Sequence, residues 1–127
     1  MLCSSARDKE ARIMAQYDTH LTGSISSLIS YIDQAVLNGS MTASQEGGCD
    51  LTCGDVRCVT RVYERYSWWG GQRLSLTVTI LGRDGDVQLS AVTAGGSGAM
   101  FFKINTWGEE SFLDQFKSQI EDYAAGL

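Results

Sequence analysis

The sequence predicts an α+β fold, a two-layer sandwich in the order β-α-β(4–5)-α with a mostly antiparallel sheet and both helices on one face. Two observations predict it. Segments in which apolar and polar residues alternate are grouped in the middle of the chain, as is typical of half-buried antiparallel strands. Segments with apolar residues at helical spacing lie near each end, and each needs a sheet face to cover.

The first strand and the first helix meet at a glycine. "MAQYDTHL" (14–21) alternates, with one side formed by Ala15, Tyr17, Thr19 and Leu21. Ser24 is the predicted N-cap, because its hydroxyl can accept a hydrogen bond from a free N–H of the first helical turn. Apolar residues then recur at helical spacing until Asn38 and Gly39, either of which tolerates the left-handed conformation that ends many helices.

Four or five strands are predicted to follow. They are the short "SMTASQE" (40–46), the alternating "VRCVTRVYERYS" (56–67), "RLSLTVTILG" (73–82) and "VQLSAVT" (87–93), and the continuous apolar run "AMFFKI" (99–104). "RDGD" predicts a hairpin turn. A last helix is capped by Asn105 or Thr106, and its apolar stripe is Phe112, Leu113, Phe116, Ile120 and Tyr123.

Length and charge limit the classes of protein. The 127 residues suffice for one domain, which we place at 14–127. We expect 1–13 to be a disordered extension or to precede the true initiator Met14, since "KEARIM" can be encoded with a ribosome-binding sequence. The net charge of −5 argues against nucleic acid and anionic membranes as partners. No apolar stretch resembles a membrane span or a secretory signal, so we expect a cytoplasmic protein.

Three of the four cysteines lie within ten residues, in "CDLTCGDVRC". The spacing lacks a second cysteine pair, and His20 is the only histidine, so the ligand set for zinc is incomplete. Cys49 and Cys53 flank a predicted loop, where they could bind a soft metal or pair with each other. Cys58 shares the phase of Val56 and is expected to be a buried core residue. We predict neither a metal nor a cofactor.

The predicted strand at 56–67 carries an arginine at every fourth position, in an acidic protein. Its odd positions are Arg57, Val59, Arg61, Tyr63 and Arg65. Parity places this row on the sheet face opposite the helices, beside Thr77 if the neighbouring strand keeps its phase. Guanidinium groups bind carboxylates and phosphates, so the predicted ligand-binding residues are Arg57, Arg61, Tyr63, Arg65 and Thr77. The plainer interpretation is a solvated sheet face.

The segments "GDVRC", "RVYERYS", "GGQRLSLTVT" and "AMFFKINTWGEESFLDQF" resemble an uncharacterised family of short proteins, mainly from Gram-positive bacteria, that is known only as a domain of unknown function. The resemblance covers about Met14 to Phe116. It implies an intracellular α+β domain with no known activity, so it assigns no site residue. It also disfavours a metal at Cys49 and Cys53, because the family lacks that cysteine-rich segment.

These observations favour a non-enzymatic cytoplasmic domain, since no nucleophile–base pair or metal set is visible. We expect it to bind an anionic small molecule or an acidic protein partner on the arginine-lined face. The alternative is a protein-interaction or homo-oligomerising module, for instance a homodimer, that uses Trp68, Trp69 and a strand edge as its interface.

Overall fold

The computed structural model describes residues 15–40, 42–66, 73–95 and 102–127, the side chains of 102–111 excepted. The elements are β1 (Ala15–Leu21), α1 (Ile25–Asn38), β2 (Ser44–Cys53), β3 (Val56–Tyr66), β4 (Arg73–Arg83), β5 (Asp86–Gly95) and α2 (Phe102–Ala125). Five strands and two helices confirm the predicted α+β class.

The five strands form one antiparallel sheet in the order β1-β5-β4-β3-β2. Short turns join consecutive strands from β2 to β3 and from β4 to β5. In the first of these turns, Gly54 has φ +65 and is followed by Asp55, as in a hairpin turn that requires glycine at its first central position. This order leaves β1 and β2 as the two edges of the sheet.

The core lies between one sheet face and the two helices, which pack on β1, β4 and β5. The predicted alternation of β4 is confirmed, because its buried residues are Leu74, Leu76, Val78 and Ile80. From α1 the core receives Ile25, Leu28, Ile29, Ile32 and Val36, and from α2 it receives Phe112, Leu113, Phe116 and Ile120. Burial of these apolar side chains is the main force that holds the two layers together.

Helix α1 begins as the sequence predicts, with the Ser24 hydroxyl accepting a hydrogen bond from the Ser27 N–H at 3.2 Å. A second cap comes from the β4–β5 turn, where Asp84 Oδ1 accepts from the Ile25 N–H at 3.0 Å. The turn is also bound through the N–H of Gly85, which donates to the carbonyl oxygen of Gly23 at 2.8 Å. This hairpin turn therefore fixes the position at which α1 starts.

The end of α1 was predicted correctly at Asn38, but the predicted reason is wrong. Gly39 has φ −82 and is not left-handed. A Cβ built on Gly39 would lie 2.7 Å from Gln115 Nε2 and 2.8 Å from the carbonyl oxygen of Ala35. Glycine is favoured here because a side chain would collide with the backbone of the last turn of α1 and would displace the Gln115 side chain of α2.

Two of the predicted strands are wrong, one in its type and one in its boundaries. The run "AMFFKI" is not a strand where it is described, since α2 begins at Phe102 and includes Ile104. A short apolar run fits a buried strand and a buried helix equally well, which explains the error. The weak strand predicted at 40–46 is instead the start of β2, which continues to Cys53. Among the described residues, no helix is long and apolar enough to cross a membrane.

Candidate functional site

The arginine row of β3 faces the helices, so the predicted orientation is wrong. Val59 and Tyr63, which share its phase, are both 0% exposed and belong to the core. Both phases of β3 contain apolar residues, and the sequence alone does not show which set is covered. The helices lie over β1, β4 and β5, so β3 is at the border of the covered area. Its long side chains extend sideways to contact the helices.

Arg57 joins β3 to β2 and to the start of α1. Its Nη2 and Nε donate to the two carboxylate oxygens of Asp50 at 2.6 and 3.1 Å, and its Nη1 donates to Ser26 Oγ at 3.2 Å. The hydrogen bond from Arg57 lowers the pKa of Asp50, and the same bond raises the pKa of Arg57. The charge of this arginine is therefore already matched within the chain.

Arg61 and Tyr63 converge on Asp33, in the middle of α1. The Tyr63 hydroxyl donates a hydrogen bond to Asp33 Oδ1. Arg61 Nε lies 3.4 Å from the same oxygen, within ion-pair range, although its geometry is not that of a hydrogen bond. Burial raises the pKa of Tyr63 above its ordinary range, and the hydrogen bond to Asp33 raises it further. A buried phenol that donates to a carboxylate is satisfied and held neutral.

Arg65 differs from the other two because no carboxylate pairs with it among the described side chains. Its guanidinium carbon lies 4.1 Å from the centre of the Phe112 ring, and its Nη1 donates to Gln115 Oε1 at 3.0 Å. Burial lowers the pKa of Arg65. Beside it, between the end of α1 and α2, lies a crevice of about 10 Å³, room for roughly one water molecule.

Thr77 does not belong to this row. It pairs with Val62 on β3 and with Val92 on β5, and paired residues share one face of the sheet. That face is opposite the one that carries Arg61 and Tyr63. The predicted set of five ligand-binding residues is thus split between the two faces, because the phase of β4 relative to β3 differs from the one assumed.

The predicted positions of the cysteines are partly correct. Cys49 and Cys53 are exposed, as predicted, but they lie within β2 and not in a loop. They are four positions apart along the strand, a distance of about 13 Å, which is too far for a disulfide within one chain. Cys58 is half-buried and faces away from the helices, so its predicted place in the core is wrong. No group of three metal-binding side chains occurs within the described residues.

The feature that the sequence interpretation missed is the length of the free edge strand. β2 has ten residues, eight of which are exposed, and Leu51 is 61% exposed. In the part of the chain that the structure describes, β2 pairs with β3 on one side and with no strand on its other side. Gly47 and Gly48 interrupt the alternation of apolar and polar residues in β2, so the pattern did not predict a strand. Gly54 in the turn was the one signal that a strand ends there. The proposed interface residues Trp68 and Trp69 lie outside the described residues.

The fold and these contacts define a small α+β domain in which the arginine row of β3 contacts the helical layer and the long edge strand β2 is exposed. The chain belongs to a family of unknown function (DUF6054), whose model matches residues 14–124. No curated protein matches the chain.

Proposed function

We propose that this protein is a self-associating module, in which β2 pairs with β2 of a second copy and continues the sheet across the dimer. The observation that carries the proposal is the exposed ten-residue edge strand. A strand edge presents a row of unpaired N–H and C=O groups, and such a row is a template for pairing with another strand.

Natural proteins usually protect such an edge with lysine, proline or a bulge. β2 contains neither lysine nor proline, and its one irregularity lies at the far end, between Gln45 and Gly47. From Gly47 to Cys53 the ladder with β3 is regular. The other edge, β1, has only seven residues, and the Lys117 ammonium lies 5.6 Å from the ring of its Tyr17. β2 is therefore the better template.

The hairpin turn predicts which backbone groups of β2 are available. Cys53 and Val56 flank a two-residue turn, so they form a pair that exchanges both hydrogen bonds. By alternation, the N–H and C=O groups of Gly48, Asp50 and Thr52 then point away from β3. These are the groups that a second copy would use.

Light scattering after size-exclusion chromatography tests the proposal, at several concentrations because an interface of two strands is small. We expect a dimer that dissociates on dilution. Thr52→Pro should shift it to monomer, because proline removes an outward N–H and spares the ladder with β3. Leu51→Lys should do the same by placing a charge on the edge.

Leu81→Lys is the matched control, since Leu81 is 44% exposed on an inner strand. It should remain dimeric. A monomer at every concentration, or a dimer that Thr52→Pro and Leu51→Lys leave intact, would refute the proposal.

A second candidate function is binding of a small anion or of a carboxylate from an acidic partner at Arg65, because this guanidinium has no carboxylate partner among the described side chains. Inorganic phosphate should raise the melting temperature of the wild type, at constant ionic strength. Arg65→Lys should lose this effect, since lysine lacks the planar fork. Arg83→Gln, on an exposed ion pair with Asp55, should keep it. An equal rise in all three proteins would contradict this candidate.

We also propose a cytoplasmic location. Cys49 and Cys53 are exposed free thiols, and such thiols persist in a reducing compartment. Fractionation of the native host with antibodies to the protein would test this.

A further inference from the structure

The regular part of β2 and the turn that follows it contain a sequence that is nearly the same in both directions. Residues 48–54 are "GCDLTCG", in which only Asp50 and Thr52 break the symmetry about Leu51. When two identical antiparallel strands pair about a two-fold axis, each residue faces the residue equally distant from the axis on the other side. In a palindromic strand, most residues therefore face a residue of the same type in the other copy.

We infer that the two copies pair with Leu51 on the two-fold axis, so that Cys49 of one copy faces Cys53 of the other. This inference rests on the proposed self-association and specifies its register. Leu51, the most exposed large apolar side chain of the strand, then packs against its own counterpart and loses contact with water.

Charge separates this register from its neighbour. An axis at Asp50 would place two aspartates directly opposite each other, which is unfavourable. With the axis at Leu51, each Asp50 faces a threonine hydroxyl, and its carboxylate remains bound to Arg57 of its own chain. An axis at Cys49 would instead place Thr52 against Glu46, at the bulge between Gln45 and Gly47, and would leave Leu51 facing a glycine.

The backbone alternation also agrees with this register. The groups of Gly48, Asp50 and Thr52 point outward, and an axis at Leu51 pairs Asp50 with Thr52 of the other copy. Cys49 and Cys53 then form a pair without backbone hydrogen bonds, with a Cα separation of about 4.5 Å. That value lies at the short end of the range that disulfides span. The two thiols can therefore be joined without moving the strands.

Oxidative cross-linking reports the register. Diamide, an azo oxidant, accepts the two hydrogen atoms of two thiols, becomes a hydrazine and leaves one S–S bond. In a Cys3→Ser, Cys58→Ser background only the β2 thiols remain. One protein of this background carries Cys49→Ser and keeps only the Cys53 thiol, and another carries Cys53→Ser and keeps only the Cys49 thiol. Each protein is oxidised with diamide alone, and the two are oxidised together after co-expression.

Neither variant should cross-link alone, because every thiol then faces a serine. The co-expressed pair should yield covalent dimer for about half of the chains, the share that random pairing gives. Covalent dimer from the Cys53→Ser protein alone would place the axis at Cys49 and overturn the register. A dimer in light scattering that never cross-links after co-expression would overturn the register and leave self-association intact. Monomers throughout would overturn both.

Discussion

The phenol of Tyr63, in the second half of β3, donates a hydrogen bond to the carboxylate of Asp33, in the middle of α1. Tyr63 is fully buried, whereas the side chain of Asp33 is 30% exposed. The bond therefore connects the core side of the sheet to the solvent-facing border of the helix. It is one of three places where the row of β3 reaches the helical layer.

Tyr63→Phe should lower the free energy of unfolding by about 1–2 kcal/mol, measured in urea at neutral pH. A hydrogen bond to a charged group contributes about 1.5–3 kcal/mol, and the partial exposure of Asp33 reduces that figure. Tyr66→Phe is the control, because Tyr66 is 51% exposed, and we expect a change within about 0.5 kcal/mol. Equal losses in the two variants would show that the bond to Asp33 adds no stability.

The same pair predicts how stability depends on alkaline pH. Burial, and then the hydrogen bond to Asp33, raise the pKa of Tyr63, so the folded protein keeps the phenol protonated. In the unfolded chain the phenol ionises near pH 10. The stability from this group is thus fully present below about pH 10 and is lost as the pH rises further, at about 1.4 kcal/mol per pH unit.

Urea unfolding between pH 9 and pH 11.5 measures this effect as the difference between wild type and Tyr63→Phe. The wild type should lose stability faster above pH 10, so the difference between the two proteins should shrink. A difference that stays constant across the range would mean that the folded state does not hold the phenol neutral.

Arg61→Gln should destabilise the protein by about 1–2 kcal/mol. The side chains of Arg61 and Asp33 are only 22% and 30% exposed, so the pair lies between a surface ion pair and a buried one. An arginine on a solvated face would show no such loss. Arg83→Gln is the control, because Arg83 and Asp55 are 53% and 77% exposed and should contribute little. If urea unfolding showed equal losses of stability for Arg61→Gln and Arg83→Gln, Arg61 would behave as a solvated surface residue.

The sequence predicts those helices and strands correctly whose residue pattern has only one structural interpretation. β4 alternates from Leu74 to Ile80, Ser24 caps α1, and both were predicted correctly. The face of β3 could not be predicted from parity, because Val62 in one phase and Val59 in the other are both apolar. Only the position of the helices over the sheet decides between them.

The candidate site depends on contacts that no local pattern encodes. Asp33 is 28 positions from Arg61 and 30 from Tyr63, and its place beside them follows from how α1 crosses the sheet. The free edge β2 was missed for a different reason. Its glycines lower the strand propensity, and what holds them extended is the ladder with β3.

Gly48 provides the sharpest test of that ladder. It has φ +155, and a Cβ built on it would lie 2.2 Å from the carbonyl oxygen of Thr60 on β3. Gly48→Ala must therefore move β2 away from β3 or strain the backbone, and we expect a loss of about 2 kcal/mol or more. The neighbouring Gly47 has nothing within 4 Å of the same built atom, so Gly47→Ala is a matched control with an expected change within about 0.5 kcal/mol.

Thermal unfolding compares the two variants, and hydrogen exchange at the amides of β2 shows where any loss occurs. Faster exchange in β2 for Gly48→Ala alone is the expected outcome. If both variants matched the wild type, the close approach of β2 to β3 at Thr60 would not be required for the fold.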